Sequence, residues 1–218
     1  MRGGMSAGTL VAVAHGTRSA AGQAQIRALV DAVAMCRPEL DVRLAYVDVQ
    51  QPRVAEVMRM GKQSKAVIVP LLLSTGFHVR VDIAEAAGDS VVTPPLGPDP
   101  LLTEILAGSA GRDHDALVLA AAGSSDPGWR AEIADVASQL DAHVAYASRD
   151  ETKDVVADLR RQGAERITVA AYLLAEGRFY RSLHQAKADR VTPPLCHDPR
   201  VAGLVARRYD LTSAPARM

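Results

Sequence analysis

A repeated segment is the feature of this sequence that most constrains its fold. The motif V-T-P-P-L-x-x-D-P occurs at 92–100 and again at 191–199. Shorter matches precede it in the same order and pair three further segments, 10–18 with 117–125, 43–49 with 143–149, and 67–80 with 168–181. Self-similarity with a period of about 100 residues indicates a duplicated domain. We therefore predict two similar halves, 8–108 and 114–213, joined by the polar stretch 107–115.

Each half alternates short apolar runs with segments of helical periodicity. In the first half the apolar runs are 9–14, 42–48, 66–73 and 90–93. Apolar strands that alternate with helices are typical of a parallel sheet covered on both faces. We predict an α/β fold in which each half is a small doubly wound unit of about four parallel strands, similar to flavodoxin or Rossmann domains.

Composition excludes several classes of function. The 25 basic residues balance the 25 acidic ones, so no net field attracts nucleic acid or an anionic membrane. The start of the chain, MRGGMSAGT, lacks the apolar core of a signal peptide. Cys36 and Cys196 lie far apart and form no disulfide framework. These features predict a soluble cytoplasmic protein with neither a nucleic-acid nor a membrane partner.

Three polar residues stand at the ends of predicted strands in the first half, namely His15, Asp48 and His78. Open parallel sheets bind ligands at the carboxyl ends of their strands. Two imidazoles and a carboxylate at neighbouring strand ends predict a metal or acid–base site. Gly16 and Gly76 would let the backbone turn sharply there and let a flat ligand come close.

The second half serves as an internal control for this site. It has Ala122, Ser148 and Phe179 at the positions that align with His15, Asp48 and His78. Scaffold residues of the repeat persist, namely Gly123, Tyr146, Gly177 and Arg181. Because the three chemical groups are lost together while the scaffold stays, they indicate one shared function in the first half.

Two arginines add positive charge to the predicted site. Arg18 stands at the predicted start of a helix, and Arg80 follows His78 by two residues. Together with backbone N–H groups at a helix start they favour an anionic ligand. Two alternatives stay open: Asp48 could instead cap the helix that follows Pro52, and Arg53 could belong to a solvated helix face.

The motifs of the first half resemble a known family. The segments L-V-A-V-A-H-G-T-R (10–18), A-Y-V-D-x-x-x-P (45–52) and V-P-L-L-L-S-T-G-F-H-V-R-V-D-I (69–83) are similar to those of the sirohydrochlorin chelatases, the CbiX/SirB group of class II tetrapyrrole chelatases. The resemblance covers the whole chain if the second half is the duplicated copy of the long family members. It implies a chelatase-like fold, with two α/β halves facing each other across a cleft.

The resemblance also implies an activity and its residues. The family inserts Fe²⁺ or Co²⁺ into sirohydrochlorin, towards sirohaem or cobalamin, so the metal is a substrate and no tightly bound cofactor is expected. His15 and His78 match the family's active-site histidines, which makes them candidate metal ligands and proton acceptors. Asp48 stands where the family usually has Glu, so it keeps the carboxylate with a shorter reach. Arg18 and Arg80 would pair with the carboxylates of the macrocycle, and a monomer would suffice.

Two other functions are weighed against this one. A metallochaperone or tetrapyrrole carrier would bind the same ligands without inserting the metal, and the motifs do not separate it from an enzyme. A phosphoryl-transfer enzyme with His15 as nucleophile is disfavoured, because it would need arginine where Ala14 stands.

Overall fold

The computed structural model describes residues 8–60, 66–74 and 77–213, with the backbone alone at 77–81 and at Ser213. Of the helices in these segments, none has both the length and the apolar character of a membrane span. The strands are β1 (Thr9–Ala14), β2 (Asp41–Tyr46), β3 (Val67–Pro70), β4 (Val91–Val92), β5 (Ala116–Ala121), β6 (His143–Tyr146), β7 (Ile167–Tyr172) and β8 (Arg190–Val191). The helices are α1 (Ala20–Cys36), α2 (Val54–Met60), α3 (Phe77–Ala87), α4 (Pro100–Ala110), α5 (Pro127–Gln139), α6 (Glu151–Arg161), α7 (Arg178–Leu183) and α8 (Arg200–Ser213).

The strands form two four-stranded parallel sheets, which confirms the predicted α/β fold and its duplication. The first sheet has the order β2-β1-β3-β4 and the second has the equivalent order β6-β5-β7-β8. The two pairs of central strands are almost entirely buried, as their continuous apolar sequences predict. The central strand of each sheet, β1 or β5, therefore ends between two neighbours that end at the same edge.

Helix starts follow the local sequence. Ser19 caps α1, because its hydroxyl accepts a hydrogen bond from the N–H of Gly22. Asp99 and Asp126 cap α4 and α5 in the same way, and a proline follows each of them at the first helical position. The apolar stripe of α1 faces the core through Ile26, Leu29, Val30 and Val33. These caps fix where the chain turns back after β1, β4 and β5.

The compact units differ from the predicted halves 8–108 and 114–213 by one helix each. One unit runs to Leu96 and resumes at Pro199, and the other comprises Gly97–Asp198. Helix α4 ends the first repeat but belongs to the second unit, while α8 ends the second repeat and belongs to the first unit. Each unit thus receives its final helix from the other repeat.

Specific contacts hold α8 in the first unit. It packs against α1 and β3 with Val201, Leu204 and Val205 buried. The guanidinium of Arg208 donates to the carbonyl oxygens of Pro95 and Leu96, both at 3.1 Å. These contacts bind the helix to the loop that follows β4.

Helix α4 is held in the second unit in a comparable way. It packs against β7 and buries Leu102, Ile105 and Leu106. The guanidinium of Arg190 donates to the carbonyl oxygens of Ser109 and Ala110 at the end of the helix, at 2.6 and 3.0 Å. Both exchanged helices are therefore part of a core.

Candidate functional site

His15 is the first residue after the central strand of the first sheet, and its side chain is exposed. The ladder between β1 and β2 continues past the strand ends, because the N–H of Val47 donates to Ala14 and the N–H of Asp48 donates to His15, both at 2.9 Å. This places Asp48 beside His15, as the strand-end prediction requires. The two residues share the carboxyl edge of the sheet.

Gly16 makes this close approach of two loops possible. Its φ is +100°, a conformation that favours glycine. A Cβ atom at this position would overlap the carbonyl oxygen of Asp48. The close contact with Asp48 therefore explains why this position requires glycine. The role of Gly16 in admitting a flat ligand stays a prediction.

Asp48 is exposed and forms an ion pair with Arg53, with 3.0 Å between Oδ1 and Nη1. The backbone N–H of Val49 and, after it, the Arg53 guanidinium hold the pKa of the Asp48 carboxyl below its usual range, and the charge of His15 acts in the same direction. Asp48 is therefore an ionised group beside His15.

The alternative role of Asp48 as a helix cap is wrong. Helix α2 begins at Val54, and the N–H of Arg53 just before it donates to the side chains of Gln51 and Glu56. The start of α2 is therefore capped by groups other than Asp48. The Asp48 carboxylate remains exposed at the edge of the sheet.

Arg53 is a residue whose connection to the site sequence reasoning missed. Besides the ion pair, its Nη1 donates to the carbonyl oxygen of Val47 at 2.6 Å. The guanidinium thus clamps the strand end and the carboxylate together. The sequence shows Arg53 five residues after Asp48, in D-V-Q-Q-P-R, and this spacing could have indicated an ion pair. A position on a solvated helix face explained the arginine equally well.

Two further contacts fix the loop after β1. The side chain of Gln50 accepts from the N–H of Thr17 at 2.9 Å, and the side chain of Gln23 on α1 donates to the carbonyl oxygen of Thr17 at 2.8 Å. Between Asp48 and Gln50, Val49 has a φ of +67°, which is rare for a β-branched residue. Strained backbone of this kind concentrates where surrounding contacts over-determine a functional loop.

Of the remaining predicted residues, Arg18 and the backbone of His78 and Arg80 are described, and they follow strands that end at the same edge. Arg18 is exposed just before α1, and within the described segments it has no ion-pair partner. His78 and Arg80 lie in the first turn of α3, which follows β3, but their side chains are outside the described residues, as is Gly76 altogether. Since β3 pairs with β1 up to Val13 and Pro70, the chain leaves both strands at the edge where His15 lies.

The second unit repeats the backbone geometry without the chemical groups. The N–H of Ser148 donates to the carbonyl oxygen of Ala122 at 2.9 Å, as Asp48 does to His15. Gly123 has a φ of +107°, and a Cβ atom there would overlap the Ser148 hydroxyl. The alignment of Ala122 with His15 and of Ser148 with Asp48 is therefore confirmed.

Removing Arg53 is expected to raise the pKa of Asp48. In an Arg53→Met variant the N–H of Val49 still lowers this pKa, so the change is partial. A carboxyl with a depressed folded pKa stabilises the protein above its unfolded pKa, and this contribution is lost as the pH falls through the folded value. In Arg53→Met this contribution is smaller, and its loss is complete at a higher pH than in the wild type. Carboxyl NMR titration of Asp48 measures the shift.

Arg59→Met is the matched control for that titration. Arg59 lies on the same helix, and its Nε donates to the carbonyl oxygen of Ala55 at 3.1 Å. This variant is expected to leave the titration of Asp48 unchanged. Equal titration curves for the Arg53 and Arg59 variants would contradict a clamping role for Arg53.

Comparison with known proteins decides the family of this chain. The CbiX family model matches residues 9–112 and matches again at residues 116–212. The chain belongs to the CbiX family. The two matches coincide with the two sequence repeats, so this CbiX protein carries two copies of the family domain. A comparison with curated protein sequences gave no match.

Solved structures share the fold of this CbiX protein. The sirohydrochlorin chelatase SirB from Bacillus subtilis subspecies spizizenii, in complex with cobalt, is 20% identical, with a TM-score of 0.72 over 94% of each chain. SirB from Bacillus subtilis with Fe³⁺ is 20% identical, with a TM-score of 0.74 over 94% of this chain and 95% of that one. A multi-domain protein of Deinococcus radiodurans with structural similarity to chelatases is 19% identical, with a TM-score of 0.70 over 97% of this chain and 56% of that one.

Proposed function

We propose that this CbiX protein is a sirohydrochlorin chelatase that inserts Fe²⁺ or Co²⁺ into the macrocycle. The observation that carries the proposal is the pair of His15 and Asp48, held together at the carboxyl edge of the first sheet and replaced together in the second. Membership of the family supports it, and so does the fold shared with SirB, which was solved with cobalt and with iron.

His15 is proposed to bind the incoming ion and to accept a proton. Insertion of a divalent ion must release the two pyrrole N–H protons. A neutral imidazole binds borderline metals such as Fe²⁺ and Co²⁺ and also takes up protons near neutral pH. His15 lies exposed at the end of a buried strand, so its imidazole is accessible while its backbone is fixed.

Asp48 is proposed to orient His15 or to act as a proton relay. The carboxylate remains ionised at pH values below those usual for an aspartate, because the Val49 N–H and the Arg53 guanidinium stabilise its charge and lower its pKa. A carboxylate next to a metal-binding imidazole can fix the orientation of the ring and take part in proton transfer. Arg53 acts through Asp48 and is a positioning residue.

The other predicted residues complete the proposed site. His78 would act as the second metal ligand and proton acceptor. Arg18 and Arg80 would pair with peripheral carboxylates of sirohydrochlorin, for which the planar guanidinium is suited. Gly16 and Gly76 would keep the edge open to the flat macrocycle. We place the reaction in the cytoplasm, in sirohaem synthesis if the metal is iron and in cobalamin synthesis if it is cobalt; Cys36 and Cys196 are free thiols, which suits a reducing compartment.

An anaerobic absorption assay tests the proposal. The protein is incubated with sirohydrochlorin and Fe²⁺ or Co²⁺, and then with both metals in competition. A chelatase accelerates the change in the visible spectrum above the uncatalysed control for at least one metal. A metallochaperone or tetrapyrrole carrier gives binding without acceleration, and that result would refute the enzyme.

A further inference from the structure

The carboxyl edge of the second sheet carries arginines where the first carries metal-binding groups. After β6 the chain forms a short 3-10 turn, Ala147–Arg149, and after β7 it enters α7 at Arg178. The strands β6 and β7 are separated by β5, yet the turn and α7 contact each other. Residues that follow two different strands are thereby brought to one place. We call Arg149, Arg178 and Arg181 the arginine edge.

All three guanidinium groups of the arginine edge are exposed. Arg178 and Arg181 are three residues apart on α7 and so lie on the same side of the helix. Neither forms an ion pair with any residue in the described segments. Arg149 has its nearest carboxylate oxygen, on Glu151, at 3.7 Å, which is longer than a charge-assisted hydrogen bond. The arginine edge is therefore available to an external anion.

The acidic residues nearby have other roles in the structure. Asp150 and Glu151 open α6, where the helix dipole stabilises carboxylates. Glu151 also accepts a hydrogen bond from the N–H of Tyr146 at 3.1 Å. Burial raises the pKa of Tyr180 and of Cys196, and the charge of Glu176 raises both further. Internal neutralisation therefore does not account for the arginine edge.

Comparison of the repeats shows that two of the three arginines stand where the first repeat has apolar residues. Arg149 aligns with Val49 and Arg178 with Phe77, while Arg181 keeps the arginine that the first repeat has as Arg80. The same edge lost its imidazoles and carboxylate, since Ala122, Ser148 and Phe179 stand in their places. The second copy thus has arginines at an edge that lacks both imidazoles and the carboxylate of the first copy.

We propose that the arginine edge is a metal-independent binding site for the carboxylate groups of the tetrapyrrole. This inference rests on the proposed function for the identity of the ligand. Guanidinium groups bind carboxylates through two parallel hydrogen bonds, and three of them on adjoining elements suit a ligand that bears several carboxylates.

The test is the affinity of the full chain for metal-free sirohydrochlorin, followed by visible absorption. The double variant Arg178→Ala/Arg181→Ala is expected to bind about tenfold more weakly, because two charge-assisted contacts are lost. The control is Arg27→Ala/Arg112→Ala, which removes the same charge from two exposed arginines elsewhere and is expected to bind like wild type. A titration with inorganic phosphate is run as a competitor.

Each outcome decides the assignment. Weaker binding in the edge variant alone, with phosphate a poor competitor, supports a carboxylate site. Unchanged affinity in that variant overturns it, and so does displacement by phosphate at concentrations equal to those of sirohydrochlorin, which would mark a general anion site. The metal-insertion rate of the wild type is measured separately, so an absent rate refutes the chelatase and an intact rate with unchanged binding refutes only the arginine edge.

Discussion

Replacement of His15 by alanine is expected to slow metal insertion by about a hundredfold or more, because the variant loses both a metal ligand and a proton acceptor. The free energy of unfolding should change little. The His15 side chain is exposed, and its backbone carbonyl, which an alanine retains, is the group that accepts the hydrogen bond from Asp48. Ala122 already occupies the equivalent place with the same backbone contact to Ser148.

The control for this variant is His143→Ala. His143 is exposed at the first residue of β6, the end of the strand away from the carboxyl edge. Its replacement should leave the insertion rate within about twofold of wild type, as expected for a change at an exposed residue outside the proposed site. Full insertion activity in His15→Ala, with circular dichroism showing a folded protein, would rule out the assigned site.

Gly16→Ala is expected to destabilise the protein by about 3 kcal/mol and to disrupt the site at the same time. A residue with a Cβ pays about 1–2 kcal/mol for the left-handed conformation. The new methyl group would also overlap the carbonyl oxygen of Asp48, which is backbone and held by the ladder between β1 and β2. Relief of that overlap must move Asp48 away from His15. Urea unfolding measures the stability.

Two other glycines separate the causes of this loss. Gly163 has a φ of +98° with open space around it, so Gly163→Ala reports the conformational term alone, about 1 kcal/mol. At Gly123 the overlap is with the hydroxyl of Ser148, which can rotate away. Gly123→Ala should therefore resemble Gly163→Ala more than Gly16→Ala. Equal losses of stability in all three variants would show that the close approach of Asp48 does not contribute to the effect of Gly16→Ala.

The predictable part of the site was the part that depends on strand ends and on the repeat. His15 and Asp48 follow apolar runs of a parallel sheet, whose carboxyl ends meet at one edge. Their joint replacement by Ala122 and Ser148 could be read directly from the aligned repeats. The hydrogen bonds of the two units confirm that these positions are equivalent.

The unpredictable part depends on contacts that no periodicity encodes. The ion pair of Asp48 with Arg53 arises because the loop after β2 folds back, which brings Tyr46 against Arg53. Sequence patterns do not show against which sheet the helices at 100–110 and 200–213 pack. The exchange of α4 and α8 was missed for that reason, since adjacency in the chain suggested that each helix stays with its own repeat.

The exchange of α4 and α8 determines what would happen if the chain were cleaved between its two repeats. The exposed linker at 111–113 separates the sequence repeats, yet a break there would leave α4 embedded in the core of the following unit and α8 embedded in the core of the preceding one. The two fragments would each hold a piece of the other's hydrophobic interior. Each repeat therefore supplies one helix to the core of the other repeat. A sequence alignment divides the duplication at one point, whereas the folded protein is divided at two, after Leu96 and after Asp198.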